Sequence, residues 1–138
     1  MERSVKPVPE DRHTVTPYLV VADAPRIIEF MQDAFGGTVL EKHMTPEGQV
    51  MHAEVRIGDS VVMIGESNEE WSGFKAMIHL YMPDVDAVYA RAIDAGARPV
   101  REPETMDYGD RSGGVEDSSG TQWWIATRVA ERPGGGEE

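Results

Sequence analysis

The sequence predicts an α+β fold of two tandem βαβββ modules, on three observations. Ala24 to Phe35 and Val85 to Ile93 each place apolar residues at helical spacing. Each helix has one β-rich run before it and three after it, punctuated by turn clusters such as TPEG, GDS and DSSG. The landmarks of the first half return in the second. Asp23 and Asp84 stand 61 positions apart, Gly36 and Gly96 stand 60 apart, and the hairpin glycines Gly58 and Gly120 stand 62 apart. Three matching offsets indicate an internal duplication. The expected architecture is a curved, half-barrel mixed sheet with its helices outside.

Taken in order, the polar, proline-punctuated residues 1–13 are read as a flexible segment, and the folded domain as residues 14–129. Module one covers about residues 14–66. Val15 to Val21 is its first strand and stops at Asp23, a good helix N-cap. The helix carries Ile27, Ile28, Phe30, Met31, Ala34 and Phe35 on its apolar side, has Pro25 in its first turn and ends at Gly36-Gly37. Strands follow at Thr38 to Met44, His52 to Ile57 and Val61 to Ile64. Module two covers about residues 75–129. It starts with Ala76 to Met82, continues with a helix capped by Asp84 and ended by Gly96, and adds strands near Arg98 to Arg101, Gly114 to Glu116 and Gln122 to Thr127. The tail, residues 130–138, contains RPGGGEE and is read as flexible.

Composition narrows the chemistry. A formal charge of -12 repels phosphate backbones, and no basic run offsets it, so nucleic acid is not an expected partner. No apolar stretch approaches the roughly 20 residues that span a bilayer, and the N-terminus has no signal-like apolar run. The protein is therefore expected to be cytoplasmic and without a membrane partner. With no cysteine, thiolate metal sites and cysteine nucleophiles are excluded, leaving His, Asp and Glu.

Strand alternation selects the side chains of a trough opposite the helices. Ile78, Leu80 and Met82 suit the helix side, which turns Met77, His79 and Tyr81 the other way. Ala53, Val55 and Ile57 do the same for His52, Glu54 and Arg56. His52 and Glu54 form a candidate acid-base pair, since a carboxylate two residues along one strand face can orient an imidazole. A solvated polar face is the simpler account of them. An unconventional metal site from His52, Glu54 and His79 is weaker still. Trp123 and Trp124 point to opposite faces; if Trp124 lines the trough, Trp123 packs under the helices. Tyr18, Tyr81 and Tyr108 offer phenol groups. Arg111 is a candidate anchor for an anionic ligand, although Asp107, Asp110, Glu116 and Asp117 nearby favour an internal salt bridge. His13 and His43 are expected to be exposed, and Trp71 to lie in the linker between modules, available for a lid or dimer contact.

Four segments resemble the vicinal oxygen chelate superfamily, also called the glyoxalase, bleomycin-resistance and dioxygenase fold: VTPYLVVADAPRIIEFMQDAFGG, HAEVRIGDSVVM, HLYMPDVDAVYARAIDAGARPV and YGDRSGGVEDSSGTQWWIA. The resemblance covers nearly the whole folded body. It implies a divalent metal in some members, held by one ligand on the first and fourth strand of each module. Carried over by position, those ligands fall on Thr16, Met63, Met77 and Trp124. None supplies a hard oxygen or an imidazole nitrogen. The expectation is a branch with a degenerate metal site, no metal and no cofactor. Thr16, Tyr18, Met63, Met77, His79, Tyr81, Tyr108, Arg111 and Trp124 are then the candidate ligand-binding residues. The expected function is that of a homodimeric, metal-independent small-molecule-binding protein, as among antibiotic-resistance members. The alternative is a lyase, isomerase or dioxygenase working through a displaced metal or through His52 and Glu54.

Overall fold

The structure, a computed structural model, describes residues 5–131. Residues 1–4 and 132–138, parts of the two segments read as flexible, lie outside the described residues. The element order is β1 (Tyr18–Val21), α1 (Ala24–Phe35), β2 (Thr38–Met44), β3 (Val50–Ile57), β4 (Ser60–Glu66), β5 (Met77–Tyr81), α2 (Val85–Asp94), β6 (Arg98–Thr105), β7 (Asp110–Glu116) and β8 (Gln122–Arg128). The fold is α+β with two tandem βαβββ modules, each built on its own four-stranded mixed sheet, in the orders β1-β4-β3-β2 and β5-β8-β7-β6. Among the described residues, no helix is long and apolar enough to cross a membrane.

The duplication extends to register. Tyr18 pairs with Met63 in the parallel β1–β4 ladder, and His79 pairs with Trp124 in the parallel β5–β8 ladder. Glu41 faces Glu54 across β2–β3, and Arg101 faces Gly114 across β6–β7. The first register shift of each antiparallel ladder also falls at the same place, between Val39 and Glu41 and between Pro99 and Arg101. Both helices are entered through an aspartate in the left-handed region, Asp23 at φ 60° and Asp84 at φ 56°, a conformation that Asp tolerates better than bulkier residues.

Local differences from the sequence reading have local causes. β1 begins at Tyr18, not Val15, because Pro17 has no N–H for a ladder; only its carbonyl takes part, accepting from Met63 N at 2.9 Å. Asp84 caps α2 by accepting from Ala87 N at 3.3 Å, whereas Asp23 makes no side-chain cap. At α1 the carboxylate of Glu66, at the end of β4, accepts from Ala24 N instead, at 3.1 Å.

One hydrophobic cluster joins the modules. It takes Leu19, Val55, Val62 and Ile64 from the first sheet, Val115, Trp123 and Ile125 from the second, and the apolar sides of both helices. Trp123 is fully buried, its ring 5.1 Å from Phe35 and 6.2 Å from Phe30. Removing that much apolar surface from water contributes about 3 kcal/mol or more for a side chain of this size. Both sheets thus turn their apolar side to the helices, and their polar sides are the reverse faces.

Candidate functional site

On the first sheet, β3 presents His52 and Glu54 two residues apart on the polar face. His52 Nε2 lies 3.1 Å from Glu54 Oε2, and its Nδ1 lies 3.1 Å from the Tyr18 hydroxyl on β1. An ionised carboxylate only accepts, so the neutral ring carries its proton on Nε2 and Nδ1 accepts from Tyr18. Glu54 is buried and also forms an ion pair with Arg12, from residues 5–17 before β1, which have neither strand nor helix. Burying a carboxylate is costly unless it is paired, and Arg12 supplies that pairing. Across the β2–β3 ladder, Glu41 faces Glu54 and His43 faces His52, with the two imidazole rings 6.3 Å apart. Glu41, His52 and Glu54 each offer a metal-ligating atom, all within 4.8 Å of one another.

The second sheet builds a different surface from equivalent positions. Trp124 lies against the backbone of Gly114, where a Cβ would come within 2.8 Å of the indole ring. The Arg101 guanidinium covers the indole, with Cζ 4.9 Å from the ring centroid, a cation–π geometry. Arg101 is held there by donating to the Ser112 carbonyl at 3.2 Å and hydroxyl at 2.5 Å. His79 is the strand partner of Trp124, and its ring is 5.0 Å from that of Tyr81. The Tyr81 hydroxyl donates to buried Asp110 at 2.9 Å, which also accepts from Arg128 Nε at 3.1 Å. Hydrogen bonds to Tyr81 and Asp110 hold the Arg128 pKa above its ordinary value.

The candidate residues therefore separate into groups. Tyr18, His52, Glu54 and Met63 share the first-sheet face, and Met77, His79, Tyr81 and Trp124 share the second. Thr16 precedes β1, half-buried, and Tyr108 is exposed in the turn into β7. Register sets Tyr18 and His79, not Thr16 and Met77, beside Met63 and Trp124. Of those four side chains only His79 is a common metal donor. His79 and Tyr81 also line a cleft of about 580 Å³ with Val15, Pro17, Val61 and Val62 of module one.

Arg111 belongs to neither face. It sits between Asp110 and Ser112 on β7, so alternation turns it toward α2, where its guanidinium donates through Nε and Nη2 to Asp86 at 2.8 and 3.0 Å. That fork holds the Asp86 carboxyl below its ordinary pKa and the guanidinium above its own. The internal salt bridge forms, but with a helix residue 25 positions away and not with the carboxylates next to it in sequence. Arg12, Glu41 and Arg101 were not singled out by sequence. The duplication could have found two of them, since Glu41 and Arg101 are equivalent positions opposite Glu54 and Gly114.

A family model described as Glyoxalase/Bleomycin resistance protein/Dioxygenase superfamily matches residues 12–125. An uncharacterized protein of Mycobacterium bovis is 36% identical over 128 residues, covering 85% of this chain and 84% of that one. An uncharacterized protein of Mycobacterium tuberculosis has the same identity, covering 85% and 75%. Among solved structures, TioX from Micromonospora sp. ML1 superposes with a TM-score of 0.73 at 22% identity, covering 85% of this chain and 99% of TioX. A glyoxalase/bleomycin resistance protein/dioxygenase family enzyme from Burkholderia phytofirmans PsJN superposes with a TM-score of 0.67 at 19% identity, covering 83% and 97%. At these identities the structures share the fold.

Proposed function

Because the chain belongs to the glyoxalase/bleomycin resistance protein/dioxygenase superfamily, we propose that it is a cytoplasmic small-molecule-binding protein that holds an organic ligand against its polar sheet faces without a metal at the family's positions. The observation that carries this reading is the Trp124 surface. A half-buried indole backed by Gly114 and overlaid by Arg101, with His79 and Tyr81 alongside, offers aromatic area and a directed cation. Such surfaces suit planar or anionic organic groups. At the β1, β4, β5 and β8 positions, Tyr18, Met63, His79 and Trp124 supply a phenol, a thioether, one imidazole and an indole. This donor set does not fit a divalent ion.

A homodimer is part of the proposal. The polar side chains of each sheet bond within their own sheet or, for Glu54, to Arg12 before β1, and the core between the modules lies on the helix side. A first-sheet face can meet a second-sheet face when another copy supplies it. The outer edges of β1 and β5 carry exposed apolar groups, Tyr18, Met77 and Tyr81, suited to such a contact.

A second reading follows from the Tyr18–His52–Glu54 chain: an imidazole oriented by a carboxylate is the arrangement of a general base. Differential thermal denaturation against a panel of aromatic antibiotics and metabolites tests the two together, since binding to the native state raises Tm. The binding reading predicts stabilisation by selected organic compounds, lost in Trp124→Ala and retained in His52→Ala. No stabilisation by any compound, or stabilisation indifferent to Trp124, would count against it.

A further inference from the structure

We propose that Glu41, His52 and Glu54 form a divalent-cation site on the first sheet, and that Arg12 is a built-in counterion which the metal displaces. The location is distinct from the positions the family resemblance points to. Those lie on β1, β4, β5 and β8, whereas these three donors lie on β2 and β3.

The donor chemistry is that of a transition-metal site. Two carboxylates and an imidazole have ligand atoms within 4.8 Å of one another; Zn²⁺ and its neighbours bind such groups at about 2.0–2.2 Å. Closing the set requires a shift of Glu41, which is exposed and must leave its 3.1 Å contact with His43 Nε2. The other two are already held. Glu54 is buried on the central part of β3, and the Tyr18 hydroxyl engages the ring nitrogen of His52 that faces away from Glu54. A metal at Nε2 moves the ring proton to Nδ1, and Tyr18, whose hydroxyl oxygen can also accept, keeps that bond. Hydrogen bonding at the remote nitrogen is the usual way a histidine ligand is oriented.

Charge gives the second line of argument. Glu41 and Glu54 face each other across the ladder, like charges side by side with one of them buried, an arrangement that calls for a cation. Arg12 supplies one, but imperfectly. Its Nη1 is buried and lies 2.9 Å from the Asp11 carboxylate, yet makes no aligned hydrogen bond. Arg12 also reaches Glu54 from a stretch without strand or helix, so a competing cation can displace it without breaking a strand ladder. Of the two facing carboxylates the guanidinium pairs only with Glu54, while a divalent ion neutralises both and uses the imidazole as well.

The test is titration of the full-length, tag-free, chelator-treated protein with Co²⁺ and Zn²⁺, followed by calorimetry and by the visible absorption of bound Co²⁺. One ion per chain is expected. Glu41→Gln, an exposed substitution that leaves the core untouched, and His52→Ala should each abolish the Co²⁺ band. Tyr18→Phe should weaken binding by about tenfold, as loss of an orienting partner does. Arg12→Ala should tighten it by at least about fivefold, the factor that even a solvent-exposed competing ion pair can withhold. Two results would overturn the proposal: no Co²⁺ or Zn²⁺ binding by either wild type or Arg12→Ala, or binding that survives the Glu41→Gln/His52→Ala double substitution.

Discussion

Glu54 and Gly114 occupy the same place in the two modules, each facing a fourth-strand residue of its own sheet, Met63 and Trp124 respectively. One is a buried carboxylate that recruits an arginine from outside the sheet; the other is a bare backbone on which an indole lies flat. Glu41 and Arg101 differ as sharply, a carboxylate against a guanidinium. On the reverse faces the modules agree far more closely: Leu19 and Leu80, Ile64 and Ile125, and Val55 and Val115 are equivalent pairs. The duplication kept the side that meets the helices and let the opposite side diverge. Packing constrains volume and polarity on the helix side, and nothing comparable constrains a face that meets solvent or a ligand.

One exception on the helix side is Val62 and Trp123, equivalent positions filled by very different volumes. Trp123 fills the space between modules against Phe30 and Phe35. Trp123→Ala is expected to cost about 3–5 kcal/mol, and Val62→Ala about 2 kcal/mol or less. Chemical denaturation of both variants measures the difference; equal losses would mean that Trp123 does not join the modules. A smaller effect should separate the polar faces. Gly114→Ala gains about 0.4–1 kcal/mol by stiffening the unfolded chain. It also drives a methyl group to within 2.8 Å of Trp124, and overpacking of that kind costs about 1–3 kcal/mol. The steric cost wins, so net destabilisation and a shift in Trp124 fluorescence are expected, with no parallel effect from Glu54→Gln on that fluorescence.

The parts of the fold that sequence made legible are those governed by a period. Alternation assigned Ile78 and Leu80 to the helix side and separated Trp123 from Trp124, and helical spacing located α1 and α2. The 61-position offset between Asp23 and Asp84 anticipated a common register. What could not be read were partners brought together by tertiary docking. Arg12 and Glu54 are 42 positions apart, and Arg111 and Asp86 are 25. For Arg111, sequence proximity misdirected the choice. Asp110 is its neighbour on a strand and so points to the opposite face, toward Tyr81 and Arg128, while Asp117 is taken by the Trp123 indole N–H and Glu116 by Arg98. The Arg101–Trp124 stack depended on a register shift in β6 that no periodic pattern announces.

The smallest expected effect concerns that Arg111 pair, which has no counterpart among the described ion pairs of module one. The Asp86 carboxyl has its folded-state pKa lowered below its ordinary 3.8, chiefly by the hydrogen bond from Arg111. A depressed carboxylate pKa contributes stability that is present above the unfolded value and is lost as pH falls through the folded one. Asp86 is exposed and Arg111 only half-buried, so screening keeps the contribution slight. Asp86→Asn should therefore leave the neutral-pH Tm nearly unchanged and flatten the acid limb of the stability curve below about pH 4. The informative control is Glu116→Gln, whose carboxyl is likewise lowered by Arg98 but links β6 to β7 and not α2 to the sheet. If the acid limb of Asp86→Asn matches wild type while Glu116→Gln flattens it, the helix anchor contributes nothing to pH dependence. The contrast between the modules then rests on their polar faces and on Trp123.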